Sequence, residues 1–203
     1  MKITTLPNVE ISPKLSDQFL QQIDRAVSAV PESVLKALEQ HGDSLKLAPQ
    51  LKDLLPELSG KPMLGDPSGR VFDQSPGLYY RREKSIIIFE YVMDTHPPFR
   101  LIKNNRAPGI LRHELGHALD RALGGRSDYD DFQRAYNQDV DTIDHVAMID
   151  EYAYYLTRKG RSELFAELFA VLQGGGADER IGNIKRIFPA ALKALQTILE
   201  KKP

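Results

Sequence analysis

The chain has 203 residues, a formal net charge of -1 and no cysteine. That length suits one domain of moderate size, or one core with a helical extension. The balanced charge offers no basic excess for nucleic acid or an anionic membrane surface, and the missing thiols exclude disulfides and thiolate metal ligands.

Residues 1 to about 12 read as extended or loose. They contain no apolar stretch of the signal-peptide kind, so a secretory signal is expected to be absent or already removed. No apolar run approaches membrane-spanning length. Leu15, Phe19, Ile23 and Val27 then recur at helical spacing, with Ser16 or Asp17 as the cap. Pro31 and Ser33 open a second helix carrying Val34, Leu35 and Leu38, and residues 45–55 read as a third, weaker one. Residues 1–58 are therefore expected to form a helical N-terminal extension, a cap or a partner surface.

Gly and Pro recur between residues 59 and 77 and break the chain into turns. Residues 78–81 and 85–92 are β-branched and aromatic and read as strands. The continuous apolar run Ile86 to Phe89 fits a strand buried on both faces, and 78–81 is the better candidate for an edge. Residues 94–107 read as a loop containing Pro97 and Pro98. Pro108 suits a first helical turn, and Ile110, Leu111, Leu115, Ala118, Leu119 and Leu123 give the following helix an apolar side, stopped by Gly124 and Gly125. Further helices are expected over about 128–155, 162–172 and 178–199. Residues 59–203 thus form the main α+β domain, or the two parts form one continuous domain.

The Pro108 helix carries His113-Glu114-Leu115-Gly116-His117. Residues four apart share a helix face, so both imidazoles can hold one metal ion, with the Glu114 carboxylate close by to accept a proton from water. The flanking apolar residues turn this face inward, where unpaired imidazoles would be costly. Gly116 costs the helix about 1 kcal/mol relative to alanine. Close approach of another segment is a physical reason for it.

A catalytic zinc needs a third protein ligand and one open position. His41, His96 and His145 are candidates, but no third histidine follows His117 at metzincin spacing. Glu163 is a better one. In the helix from Ser162, one side carries Leu164, Phe165, Leu168, Phe169 and Leu172, and the opposite strip carries only Glu163, Ala166, Glu167 and Ala170. Two carboxylates among alanines suit a helix packed closely on another, rather than a solvated face. Glu167, one turn on, is placed to accept a hydrogen bond from the far nitrogen of a ligand histidine. The acidic residues Asp128, Asp130, Asp131, Asp139, Asp141 and Asp144 lack the spacing of a calcium loop and read as solvated helix.

These residues resemble a known family. His113 to Asp120, followed 46 residues after His117 by Glu163-Leu164-Phe165-Ala166-Glu167-Leu168-Phe169, is similar to the catalytic domain of anthrax lethal factor-like zinc metallopeptidases and the related bacterial Pro-Pro endopeptidases. The likeness covers about 105–175 best, extends from about 60 to the C-terminus and fades over the first 55 residues. It implies a zincin-like fold: a small mixed sheet, an active-site helix and a C-terminal helical part. It implies Zn²⁺ held by His113, His117 and Glu163, with Glu114 as general base. It also implies a tyrosine that binds the oxyanion. The family places that tyrosine seven residues before the ligand glutamate, where this chain has Leu156; Tyr155 lies eight before and Tyr154 nine, and Tyr155 is taken for the role. The implied activity is endopeptidase cleavage of a peptide or protein, by a secreted or toxin-like effector protease. A cytoplasmic protein, or one delivered by a dedicated secretion system, remains the alternative location. The rival reading is a non-catalytic zinc-containing module, or an effector acting mainly through partner binding. Cleavage preference and oligomeric state are left open.

Overall fold

The computed structural model describes residues 3, 6, 8–63, 69–143, 155, 160–175 and 183–201. Four strands form one sheet in the order β1 (Val9–Ile11), β2 (Ser44–Ala48), β4 (Ser85–Phe89), β3 (Gly77–Tyr80). β1, β2 and β4 run parallel, and β3 closes the sheet as an antiparallel edge. The parallel step from β1 to β2 needs a long crossover. It is supplied by α1 (Asp17–Ser28) and α2 (Glu32–His41). Ser16 caps α1, its hydroxyl accepting from the Phe19 N–H, and Gly42 ends α2 in the left-handed conformation.

Residues 45–55 do not form the expected third helix. Ser44, Leu45, Lys46 and Leu47 alternate with period two and pair on both sides as β2, and only Leu51–Asp53 makes a short 3₁₀ turn. Two strands of residues 1–58 therefore belong to the same sheet as β4, and both helices pack into the same core. β4 is fully buried: Ile86 and Ile88 face the large core, while Ile87 and Phe89 face a smaller one built with Ala48, Leu51 and Leu55.

The strand expected over 85–92 breaks at Glu90. This buried carboxylate accepts from the Ser16 N–H and hydroxyl, binding the end of β4 to the start of α1. Beyond it, β5 (Tyr91–Met93) pairs with β6 (Leu101–Lys103), so part of the expected 94–107 loop is a strand.

The helix α3 (Ala107–Ala122) runs through the large core, against α1, α2, β3 and β4, and along its length against α5 (Gly160–Leu172). Three other helices complete the described chain: α4 (Asp130–Thr142), α6 (Ile184–Ile187) and α7 (Pro189–Glu200). Asp139 of α4 accepts from the Ala190 and Ala191 N–H groups at the start of α7, and Tyr136 stacks on Phe188 at 6.4 Å between ring centroids. The protein is thus an α+β fold in which one helix, α3, touches both the sheet and the C-terminal helices.

Candidate metal centre

The site lies on the seam between α3 and α5. The two helices are antiparallel: His113 meets Glu167 and His117 meets Glu163. Their closest approach is at Gly116. A Cβ added there would lie 2.6 Å from the Ala166 Cα and 2.9 Å from its carbonyl oxygen. No side chain fits between these backbones, so the loss of helix propensity at Gly116 is offset by the fit of the seam. Ala166 and Ala170 on α5 are fully buried, as a small-residue strip against a helix requires.

Across this contact three donor atoms converge. The Glu163 Oε2 lies 3.4 Å from the His113 Nε2 and 3.4 Å from the His117 Nε2. The rings of His113 and His117 stand edge to face, 85° apart. All three donors lie within 4.8 Å of one another, and this is the metal-capable His/Asp/Glu group among the described residues. Donors about 2.0–2.1 Å from a tetrahedral ion are separated by roughly 3.3–3.4 Å. The nitrogen–oxygen spacings found here match that figure, and the set contains only nitrogen and oxygen. The residues therefore fit a metal ion, with Glu114 buried on the same helix between the two histidines.

The electrostatics tie these groups closely together. Burial alone would lower the His113 pKa, but hydrogen bonds with Glu163 and Glu167, together with the charge of Glu114, push it up to about 10. Burial would raise Glu163, but the two imidazoles hold it well below the usual carboxylate range. The seam is thus built to keep Glu163 ionised and facing two nitrogens. On the far side of His113, the Nδ1 sits 2.6 Å from the Glu167 Oε2. The other Glu167 oxygen is buried and makes no hydrogen bond.

The remaining sequence candidates lie elsewhere. His41 hydrogen-bonds Asp43, and His96 is exposed beside Thr95. His145, Asp144, Tyr154 and Leu156 fall outside the described residues. Tyr155 is described: its carbonyl accepts from the Tyr136 hydroxyl, and its ring meets Phe188 edge on at 6.2 Å. Gly160, at the start of α5, fits only because it lacks a Cβ, which would lie 1.9 Å from the Tyr155 carbonyl oxygen. Of the acidic residues, Asp128 and Asp131 pair with Arg161 and Arg126, and Asp139 caps α7. A cavity of about 600 Å³ beyond the end of α3, walled by Arg121, Tyr129 and Arg134, includes none of the three donors.

Reading the residues alone did not bring out Ser162 and Asp120. The Ser162 hydroxyl lies 3.4 Å from the His117 Nδ1 and 3.5 Å from the Asp120 Oδ2. A serine beginning a helix has an ordinary capping explanation, so sequence gives no signal for the contact.

The fold is shared with a solved structure. The chain superposes on a Pro-Pro endopeptidase from Paenibacillus alvei with a TM-score of 0.65, covering 98% of this chain and 100% of that one at 18% identity. No family model matches the sequence. No curated protein matches it either.

Proposed function

We propose that the protein is a zinc-dependent endopeptidase. The observation that carries this reading is the meeting of the His113, His117 and Glu163 donors within 4.8 Å of one another, the Glu163 oxygen 3.4 Å from each Nε2, with Glu114 between the histidines in sequence. Three protein donors leave one coordination position for chemistry, whereas closed structural zinc sites use four. A non-catalytic module would need a fourth protein donor, and among the described residues the cluster holds three. The likeness of fold to an endopeptidase supports the same class.

Zinc, when bound, supplies Lewis-acid activation of water and of the scissile carbonyl. Every other step falls to the chain. Glu114 accepts the proton of the attacking water and returns it to the leaving amine. His113 and His117 bind through Nε2, which leaves each Nδ1 protonated and in need of an acceptor. Among the described residues the edge strand β3 pairs on one side alone, and an extended peptide can add to the other as a further strand, held by backbone hydrogen bonds. Tyr155 is assigned the oxyanion by the family resemblance. Its replacement by Phe is expected to lower kcat by about a hundredfold or more. An extracellular or effector role belongs to the same proposal, and fractionation of the producing cells tests it.

The deciding experiment profiles a peptide library with the wild-type protein and Glu114→Gln, beside metal analysis of both. Equal zinc content, cleavage by wild type alone and inhibition by a chelator are expected. A Glu114→Gln protein that holds zinc and cleaves at the wild-type rate would sink the mechanism. The library also reports whether proline flanks the cut, which is stated only of the Paenibacillus protein.

A further inference from the structure

The two histidines are anchored differently. The His113 Nδ1 meets a carboxylate directly, 2.6 Å from Glu167. The His117 Nδ1 meets no carboxylate among the described residues. It faces the Ser162 hydroxyl at 3.4 Å, and that hydroxyl faces the Asp120 Oδ2 at 3.5 Å. A protonated Nδ1 can only donate, so Ser162 must accept from it. The serine proton is then free to point at Asp120. Asp120 is 2% exposed and is itself fixed, accepting from the Ser127 N–H at 2.6 Å and the Ser127 hydroxyl at 2.8 Å.

We propose that Ser162 is a positioning residue for His117, relaying the Asp120 carboxylate to the His117 Nδ1 so that the Nε2 is presented to the metal. The inference rests on the zinc reading above and deepens it. The relay has a geometric logic. Asp120 lies three residues after His117 on the same helix, tied back to the Ser127 turn, whereas Ser162 lies on α5 directly before Glu163. One serine therefore couples the orientation of a ligand on α3 to the helix that bears the third ligand. Partners of metal-bound histidines are commonly worth about 10–100-fold in affinity. Both contacts here are long, so the lower end is expected.

The test is zinc affinity of the metal-free protein by chelator competition, with thermal melts of the same preparations, for wild type, Ser162→Ala, Asp120→Asn and Ser127→Ala. Ser162→Ala should melt within about 2 °C of wild type yet bind zinc about tenfold more weakly. Asp120→Asn, which presents an N–H₂ group or a weaker acceptor to the serine, should weaken binding severalfold; it also decides the matter if the alanine variant does not fold. Ser127→Ala removes one of the two bonds that fix Asp120 and should weaken binding less than Ser162→Ala does. Wild-type affinity in Ser162→Ala, or an equal loss in Ser127→Ala, overturns the relay. A wild-type protein that binds no zinc fails the proposed function instead.

Discussion

Two helix pairs in this protein bury an acidic side chain, and they use it differently. In the α4–α7 pair, both oxygens of Asp139 are taken by backbone N–H groups of α7, and the surroundings are aromatic, with Tyr136 stacked on Phe188. In the α3–α5 seam the carboxylates face imidazoles, one buried Glu167 oxygen makes no hydrogen bond, and the surroundings are glycine and alanine. Burying a carboxylate is costly in both places. The first pair offsets part of that cost with backbone N–H groups, burial still leaving the Asp139 pKa above its ordinary value. The second gathers a carboxylate oxygen and two imidazole nitrogens at one point, an arrangement that fits a metal ion.

The contrast can be broken at several points. Glu163→Gln removes one converging charge and should weaken zinc binding on the order of a hundredfold or more, measured by chelator competition. Gly116→Ala should come next. The added methyl meets backbone at 2.6 Å, which relaxes only if the helices part. Overpacking of about 1–3 kcal/mol, less about 1 kcal/mol of helix propensity gained, leaves a net loss visible in denaturant melts. The same parting moves Glu163 away from the histidines, so zinc affinity should fall together with stability. Asp139→Ala should behave oppositely, costing about 1–2 kcal/mol as a lost cap while leaving zinc affinity unchanged. If it weakened zinc binding, the two pairs would not be independent.

Another buried carboxylate, Asp43, gives the smallest effect. Asp43 accepts from the Tyr79 hydroxyl at 2.8 Å and pairs with His41. Burial first, then this hydrogen bond and the charge of Asp43, raise the Tyr79 pKa above its ordinary value of 10.0. The folded state therefore holds the tyrosine proton after the unfolded chain releases it. The stability contributed by Tyr79 is full below pH 10 and declines as pH rises above it. Melts of wild type and Tyr79→Phe should converge from pH 9 to 11, and parallel curves would show that the hydroxyl does not titrate as a buried group.

Much of the site was legible from the sequence because its chemistry and its helix periodicity coincide. His113 and His117 lie on one helix face with Glu114 beside them, and the unusual strip of Glu163, Ala166, Glu167 and Ala170 suited close packing better than a solvated face. Gly116 signalled the approach before its partner was known. The sheet was less legible. Leu45 and Leu47 belong to a strand, but Leu51, Leu54 and Leu55 follow at helical spacing, so a single window averaged two periods. β6 lay hidden because Leu101 and Ile102 are more than 40% exposed and give no alternation of buried and open positions. Ser162 and Asp120 went unread because their partners are fixed only when α5 docks on α3.

That docking has a consequence for how the protein is made. Glu163 follows His117 by 46 positions and His113 by 50, with all of α4 in between. A ribosome releases α3 well before α5 exists. On the proposed reading, a chain still being synthesised carries two of the three donors and gains the third only when α5 docks on α3, so the site and the packed seam come into being together.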